Sequence, residues 1–130
     1  MKYVLDACVA VASVLNTEKH HEACRRRMDR VLAQRDEVVV PSLFVTEVIA
    51  SCARQGHADR GHRLIARLVS VLDIRAISRT FAIRAAATAS NARLKGGDAI
   101  YAHLAKTPRV ALVTYDEELL AQRECKTTRP

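Results

Sequence analysis

Short aliphatic runs alternate with longer helix-like stretches along this chain, and that alternation restricts the fold more than any other feature. The runs are Tyr3–Leu5, Val38–Val40, Val71–Ile74 and Val110–Val113. Each is brief, apolar and bounded by polar or turn-forming residues, which is the pattern of buried strands. Strands separated by helices cannot close as tight hairpins. They pair in parallel, with the helices packed over the sheet. The expected fold class is therefore α/β, a sandwich on a mostly parallel central sheet.

The intervening segments carry helix signals. Asp6 is placed to cap a short buried helix over Ala7–Leu15, broken at Asn16-Thr17-Glu18. A rough apolar stripe marks a helix from about His20 to Arg35, ringed by Arg25, Arg26, Arg27 and Arg30. Pro41-Ser42 turns into a helix over Leu43–Ala53 with Ser42 as its cap, and Arg60–Leu68 reads as a further helix. Ser78 can cap an Ala-rich helix over Arg79–Ala92. Gly96-Gly97 is the clearest break in the chain. After it Asp98 opens a helix through about Lys106, stopped by Pro108. Thr114 and Glu117 have capping-box spacing for a last helix to about Arg123. The polar tail, Glu124–Pro130, is read as a short edge strand or a frayed end.

Length and composition set outer bounds. At 130 residues the chain is expected to form one domain, 1–130, large enough for a real core. Aromatic residues make up 4% and Trp is absent, so that core must be aliphatic. The formal net charge of +7, with a pI near 9.7, favours polyanions and nucleic acid first. Arginine supplies most of the positive charge, and its fork suits phosphate. Cys8, Cys24, Cys52 and Cys125 form no C-x-x-C pair, which argues against a zinc ribbon or a redox motif. They are expected to be reduced and mostly packed. The chain enters its first strand directly after Met1-Lys2, and no apolar run approaches the ~18 residues of a membrane span. A cytoplasmic protein without membrane contact is expected.

Against this basic background stand four acids, each next to an apolar stretch: Asp6, Glu47, Asp98 and Asp116. Asp6 and Asp116 follow strands, Asp98 follows the glycine pair, and Glu47 lies about one turn into its helix. In a parallel sheet all four can face the edge where the strands end, which is where α/β folds bind ligands. Carboxylates from separate elements suit Mg²⁺ or Mn²⁺, and a bound cation relieves their mutual repulsion. Each of the three aspartates is also well placed as an ordinary cap or dipole partner at a helix start. Glu47 is harder to explain that way, sitting among Phe44, Val45, Val48 and Ile49, although the spacing does not fix its burial. The case rests on the set.

Val4-Leu5-Asp6, Val45-Thr46-Glu47, Leu94-Lys95-Gly96-Gly97-Asp98-Ala99 and Val113-Thr114-Tyr115-Asp116 together resemble a PIN domain, in order and over nearly the whole chain. Within that family the chain is most similar to VapC-type toxins of toxin–antitoxin pairs. The resemblance implies a three-layer α/β/α sandwich and metal-dependent endoribonuclease activity. It also implies a homodimer, an RNA substrate and a cognate antitoxin that blocks the acidic pocket. It places catalytic roles on Asp6, Glu47, Asp98 and Asp116, with Asp6 and Asp98 at the positions usually assigned to Mg²⁺. Asp6, Asp98 and Asp116 are the expected ligands of Mg²⁺ or Mn²⁺, and Glu47 is expected to be a ligand through water or to orient the nucleophile. Thr114 matches a small polar residue often found near such a site. Cys8 stands where Ser or Thr is common, which is expected to remove a good hydrogen-bond donor beside Asp6. Phosphodiester hydrolysis fits this chemistry, since a divalent ion lowers the pKa of water and stabilises phosphoryl charge.

Other constellations are weaker. His20 and Cys24 share a helical face but lack a partner cluster, so a surface helix is the simpler reading. The run Arg25-Arg26-Arg27 and the basic segment Arg54–Arg67 are candidate contacts to an RNA backbone or merely solvated faces. With so few aromatics, backbone and shape recognition is favoured over base stacking. Two alternatives to a nuclease remain. One is a catalytically weak PIN domain that binds RNA or protein. The other is a receiver-like signalling domain, disfavoured because Asp73 lies inside a strand and no lysine follows the late one.

Overall fold

The computed structural model describes residues 1–130. Five parallel strands form one sheet: β1 (Lys2–Leu5), β2 (Glu37–Pro41), β3 (Asp73–Arg75), β4 (Ala111–Val113) and β5 (Thr127–Thr128), in the order β3-β2-β1-β4-β5. Seven helices connect them: α1 (Ala7–Val14), α2 (His21–Leu32), α3 (Leu43–Arg54), α4 (Ala58–Leu68), α5 (Arg79–Ala92), α6 (Gly96–Lys106) and α7 (Glu117–Ala121). The first three strands step in one direction across the sheet, and the chain then crosses back to β4 on the far side of β1. Right-handed crossovers accordingly put α1–α4 on one face and α5–α7 on the other. The point where the strand order reverses lies between β1 and β4. Their C-terminal ends therefore open into the crevice that open α/β sheets use for ligands.

The alternation that argued for this fold is physically sound. Tyr3, Val4 and Leu5 are fully buried, as are Val40, Leu112 and Val113, so these strands are dry on both faces. The core is aliphatic apart from Phe44, the two tyrosines Tyr3 and Tyr101, and the sulfur-bearing Cys24, Met28 and Cys52. Each such side chain contributes on the order of 1.5–3 kcal/mol by leaving water. α3 and α4 pack so closely that a Cβ on Gly61 would stand 3.0 Å from the Cβ of Cys52. The polar tail does form an edge strand, β5, parallel to β4.

Several elements differ locally from what the sequence leads one to expect. Gly96 and Gly97 are not a turn but the first two residues of α6. The chain reverses just before them, at Arg93, whose φ of 53° lies in the left-handed region. Asp98 is thus in the first turn of the helix rather than at its opening. Ser42 makes no side-chain cap bond to α3. The last helix is capped by Asp116, which accepts from Leu119 N at 3.0 Å, not by a Thr114–Glu117 box, and it ends at Ala121 rather than Arg123. The third strand begins at Asp73, while Val71 and Leu72 pack against the core from the preceding turn. The caps read at Asp6 and Ser78 are present, accepting from Cys8 N and Phe81 N. No helix is long and apolar enough to cross a membrane.

Candidate functional site

Strand register brings the first two acids together. Leu5 pairs with Val113, so Asp6 and Thr114 leave the sheet side by side. The Asp6 amide donates to the Val113 carbonyl at 3.0 Å, and the Thr114 hydroxyl, fully buried, donates to Asp6 Oδ2 at 2.7 Å. The same Thr114 oxygen accepts from the backbone amide of Asp116 at 3.0 Å. Thr114 is therefore a bridge that fixes the position of Asp116 relative to Asp6. A buried hydroxyl with both donor and acceptor used in this way has little freedom to move.

Asp6 is 6% exposed, and both of its oxygens are bonded. Oδ1 accepts from Cys8 N at 3.3 Å, and Oδ2 accepts from Cys8 Sγ at 3.1 Å in addition to Thr114. The expectation that Cys8 deprives Asp6 of a donor is corrected here: the thiol takes up the position of a hydroxyl donor, although S–H is the weaker group. Burial pushes the Asp6 carboxyl above its ordinary pKa, opposed by the Thr114 and Cys8 bonds and reinforced by Asp116. Burial beside Asp6 likewise pushes the Cys8 thiol up, so it is a hydrogen-bond donor and not a reactive thiolate.

α6 and α7 supply a second group of carboxylates. Oxygens of Asp98, Asp116 and Glu118 lie within 4.8 Å of one another. Asp98 is pushed up to about 6 by burial first, then by the charges of Asp116 and Asp6. Glu118 is exposed on the first turn of α7 and was not foreseen. Its signal is the Asp116-x-Glu118 spacing, hidden behind the competing capping-box reading of Thr114 and Glu117.

Glu47 enters from the other face of the sheet. Its carboxylate accepts from the Tyr101 hydroxyl, which lies in α6 and is 1% exposed. Oε1 faces Gly97, where an added Cβ would stand 3.1 Å away. Burial raises the Glu47 carboxyl, the Tyr101 bond lowers it, and the charge of Asp6 raises it further. Tyr101 itself is pushed upward by burial and by Glu47, which keeps it a donor.

All four predicted acids therefore lie in one neighbourhood at the β1–β4 crevice. The tight oxygen cluster consists of Asp98, Asp116 and Glu118. Asp6 lies outside that cluster, buried and bonded to Thr114 and Cys8, and Glu47 is held by Tyr101. Three hard oxygen donors at this spacing suit a hard divalent cation that keeps part of its water shell. Carboxylates this close repel one another, and the charge of Lys95 offsets only part of that on Asp98. His20 does not form a metal site with Cys24, which is buried; its ring instead stacks on Tyr115 with centroids 4.7 Å apart.

Comparison with known proteins agrees with this architecture. The family model described as PIN domain matches residues 3–124. Among solved structures, the chain resembles VapC20 of Mycobacterium tuberculosis, a sarcin–ricin-loop-cleaving toxin, with a TM-score of 0.74 and 11% identity over 95% of this chain and 98% of that one. It resembles the DNA-bound VapBC of Salmonella typhimurium with a TM-score of 0.72 and 16% identity, covering 99% and 98%. VapBC2 of Rickettsia felis, bound to a promoter DNA fragment, gives 0.72 and 14% over the same shares. No curated protein matches the chain significantly by sequence.

Proposed function

The chain belongs to the PIN domain family, and from that premise we propose that it is a divalent-metal-dependent endoribonuclease hydrolysing RNA phosphodiester bonds. The observation that carries this reading is the convergence of Asp98, Asp116 and Glu118 within 4.8 Å, tied to the buried Asp6 through Thr114. Asp6, Asp98 and Asp116 are the proposed ligands for Mg²⁺ or Mn²⁺, with Glu118 as an added outer donor. Once bound, the ion supplies Lewis acidity and a lower pKa for water at the scissile phosphate. Asp6 anchors the site through its bonds to Thr114 and Cys8. Glu47, aimed by Tyr101 and free of cation partners, orients the attacking water and takes its proton.

We further propose that the protein is the toxin of a type II toxin–antitoxin pair. It would then act in the cytoplasm as a homodimer and be restrained by a cognate antitoxin protein. Support comes from the similar structures, which include a toxin and toxin–antitoxin complexes over nearly their full length.

The test is direct. Purified protein should cut single-stranded RNA with Mg²⁺ or Mn²⁺ and stop when EDTA is added. Asp6→Asn and Asp98→Asn should each lower the rate at least about a hundredfold, a loss of roughly 2.7 kcal/mol in transition-state stabilisation. Undiminished cleavage by the double variant would overturn the site assignment. RNA binding without any cleavage would favour the alternative, a PIN domain serving only as a binding module.

A further inference from the structure

The structure separates the two basic segments of the sequence. On α2 the arginines are committed. Arg25 bonds Glu22 and Asp29, and Arg26 bonds Glu22. Arg30 forks onto the buried Asp36 at 2.7 and 2.9 Å, and Arg27 lies 3.9 Å from the same carboxylate. On α4, by contrast, Arg60, Arg63 and Arg67 take part in none of the protein's ion pairs. Spaced three and four residues apart, they stand on one exposed face of the helix. All three line a groove of about 330 Å³ whose floor is Val14 and Leu64. Arg60 and Arg63 also line an adjoining groove of about 410 Å³, which holds His57 and one acid, Asp59.

This ridge adjoins the end of α1. Arg60 donates to the carbonyl of Val14, the last residue of that helix, at 3.2 Å. Asp6 caps the other end of the same helix. The helix is eight residues long, and at about 1.5 Å each it spans roughly 12 Å, with the site at one end and the ridge at the other. The acidic site thus lies a few nucleotides' reach from three unneutralised guanidinium groups. An acid cluster repels a phosphate chain, so a nuclease of this kind needs cations within a substrate's reach of the site to hold it. Exposed arginines on one helix face, outside any ion pair, are well suited to that task.

Resting on the nuclease reading, we propose that Arg60, Arg63 and Arg67 form a track for the RNA backbone, gripping phosphates that flank the cut. The track is sequence-independent and acts on binding rather than on chemistry. The test compares a trinucleotide with a single-stranded RNA of about twenty nucleotides, long enough to cover the ridge as well as the site. The double variant Arg63→Gln, Arg67→Gln should raise KM for the long RNA about tenfold near 0.1 M salt. It should lower the slope of log affinity against log salt by about 1.4, near 0.7 for each lost phosphate contact. Its kcat on the trinucleotide and its melting temperature should not move, and Lys at both positions should restore most of the salt slope. An unchanged KM and slope for the long RNA, with cleavage intact, would overturn the track and leave the ridge to an acidic protein surface. Wild-type protein inert towards both RNAs would remove the nuclease reading and the track with it.

Discussion

Thr114 and Cys8 decide what Asp6 can do. Asp6 is almost fully buried, and burial alone would favour its neutral form. Two side-chain donors hold its oxygens in place, the stronger being Thr114 at 2.7 Å. Removing Thr114 also frees the amide of Asp116, so one substitution loosens two acids. Thr114→Val should cost about 1–3 kcal/mol of stability, the penalty for stranding buried polar groups. Its cleavage rate should fall further than Cys8→Ala, which loses only one weak donor. Cys8→Ser keeps a donor at the same place and should match or exceed wild-type activity. Melting curves and initial rates on the three variants check the order. A Cys8→Ser protein as impaired as Cys8→Ala would mean that the thiol's contribution is its packing, not its bond to Asp6.

Of the secondary-structure elements, α6 does most to assemble the site: it brings Asp98 and Tyr101 there and admits Glu47 against its first turn. Gly97 makes that approach possible: a Cβ there would stand 3.1 Å from Glu47 Oε1, whereas a Cβ on Gly96 would meet nothing within 4 Å. Both glycines are helical, so alanine brings up to about 1 kcal/mol of helix propensity at either position. Gly96→Ala should therefore leave activity intact. Gly97→Ala should keep or raise the melting temperature yet lower cleavage about tenfold to a hundredfold, because it shifts a positioned carboxylate. Equal activity in the two variants would show that Glu47's position is not critical.

The same helix shows what the sequence could and could not reveal. Gly96-Gly97 reads as a turn because glycine usually marks one. Only the three-dimensional contact with Glu47 explains why Gly97 stands inside the helix, and nothing in the structure explains Gly96. Strand existence was legible because continuous apolar runs have few other uses. The acids Asp6, Glu47, Asp98 and Asp116 were legible as a set because a parallel sheet sends its strand ends to one edge. Glu118 and Tyr101 were not, since an exposed first-turn glutamate and a buried tyrosine have commoner explanations that only tertiary contacts displace. Nor could the sequence choose between the basic segments, because carboxylate partners such as Asp36 are fixed by the fold.

For the whole molecule, the acidic crevice is a liability that a cation should relieve. Asp98 is held at about 6 in the folded protein against an ordinary 3.8, and Asp6 and Glu47 are also raised. Between roughly pH 4 and pH 6 the native state thus binds more protons at these sites than the unfolded chain does. Their contribution makes metal-free stability fall as pH rises through that window. The global charge of +7 works in the opposite sense, since further protonation at acid pH adds self-repulsion. Comparison with Asp98→Asn cancels that background. In EDTA at pH 7 the variant should melt above the wild type, and its stability should decline less between pH 4 and pH 6. Metal reverses the order, because ligands must be deprotonated to bind and the gain grows with pH. At a hundred times its dissociation constant, Mg²⁺ or Mn²⁺ should stabilise the wild type by about 2.7 kcal/mol, roughly 10 °C for a domain of this size. Asp98→Asn should gain far less. Equal metal-induced shifts in the two proteins would mean that the cation binds elsewhere, and the crevice would lose its claim to be the metal site.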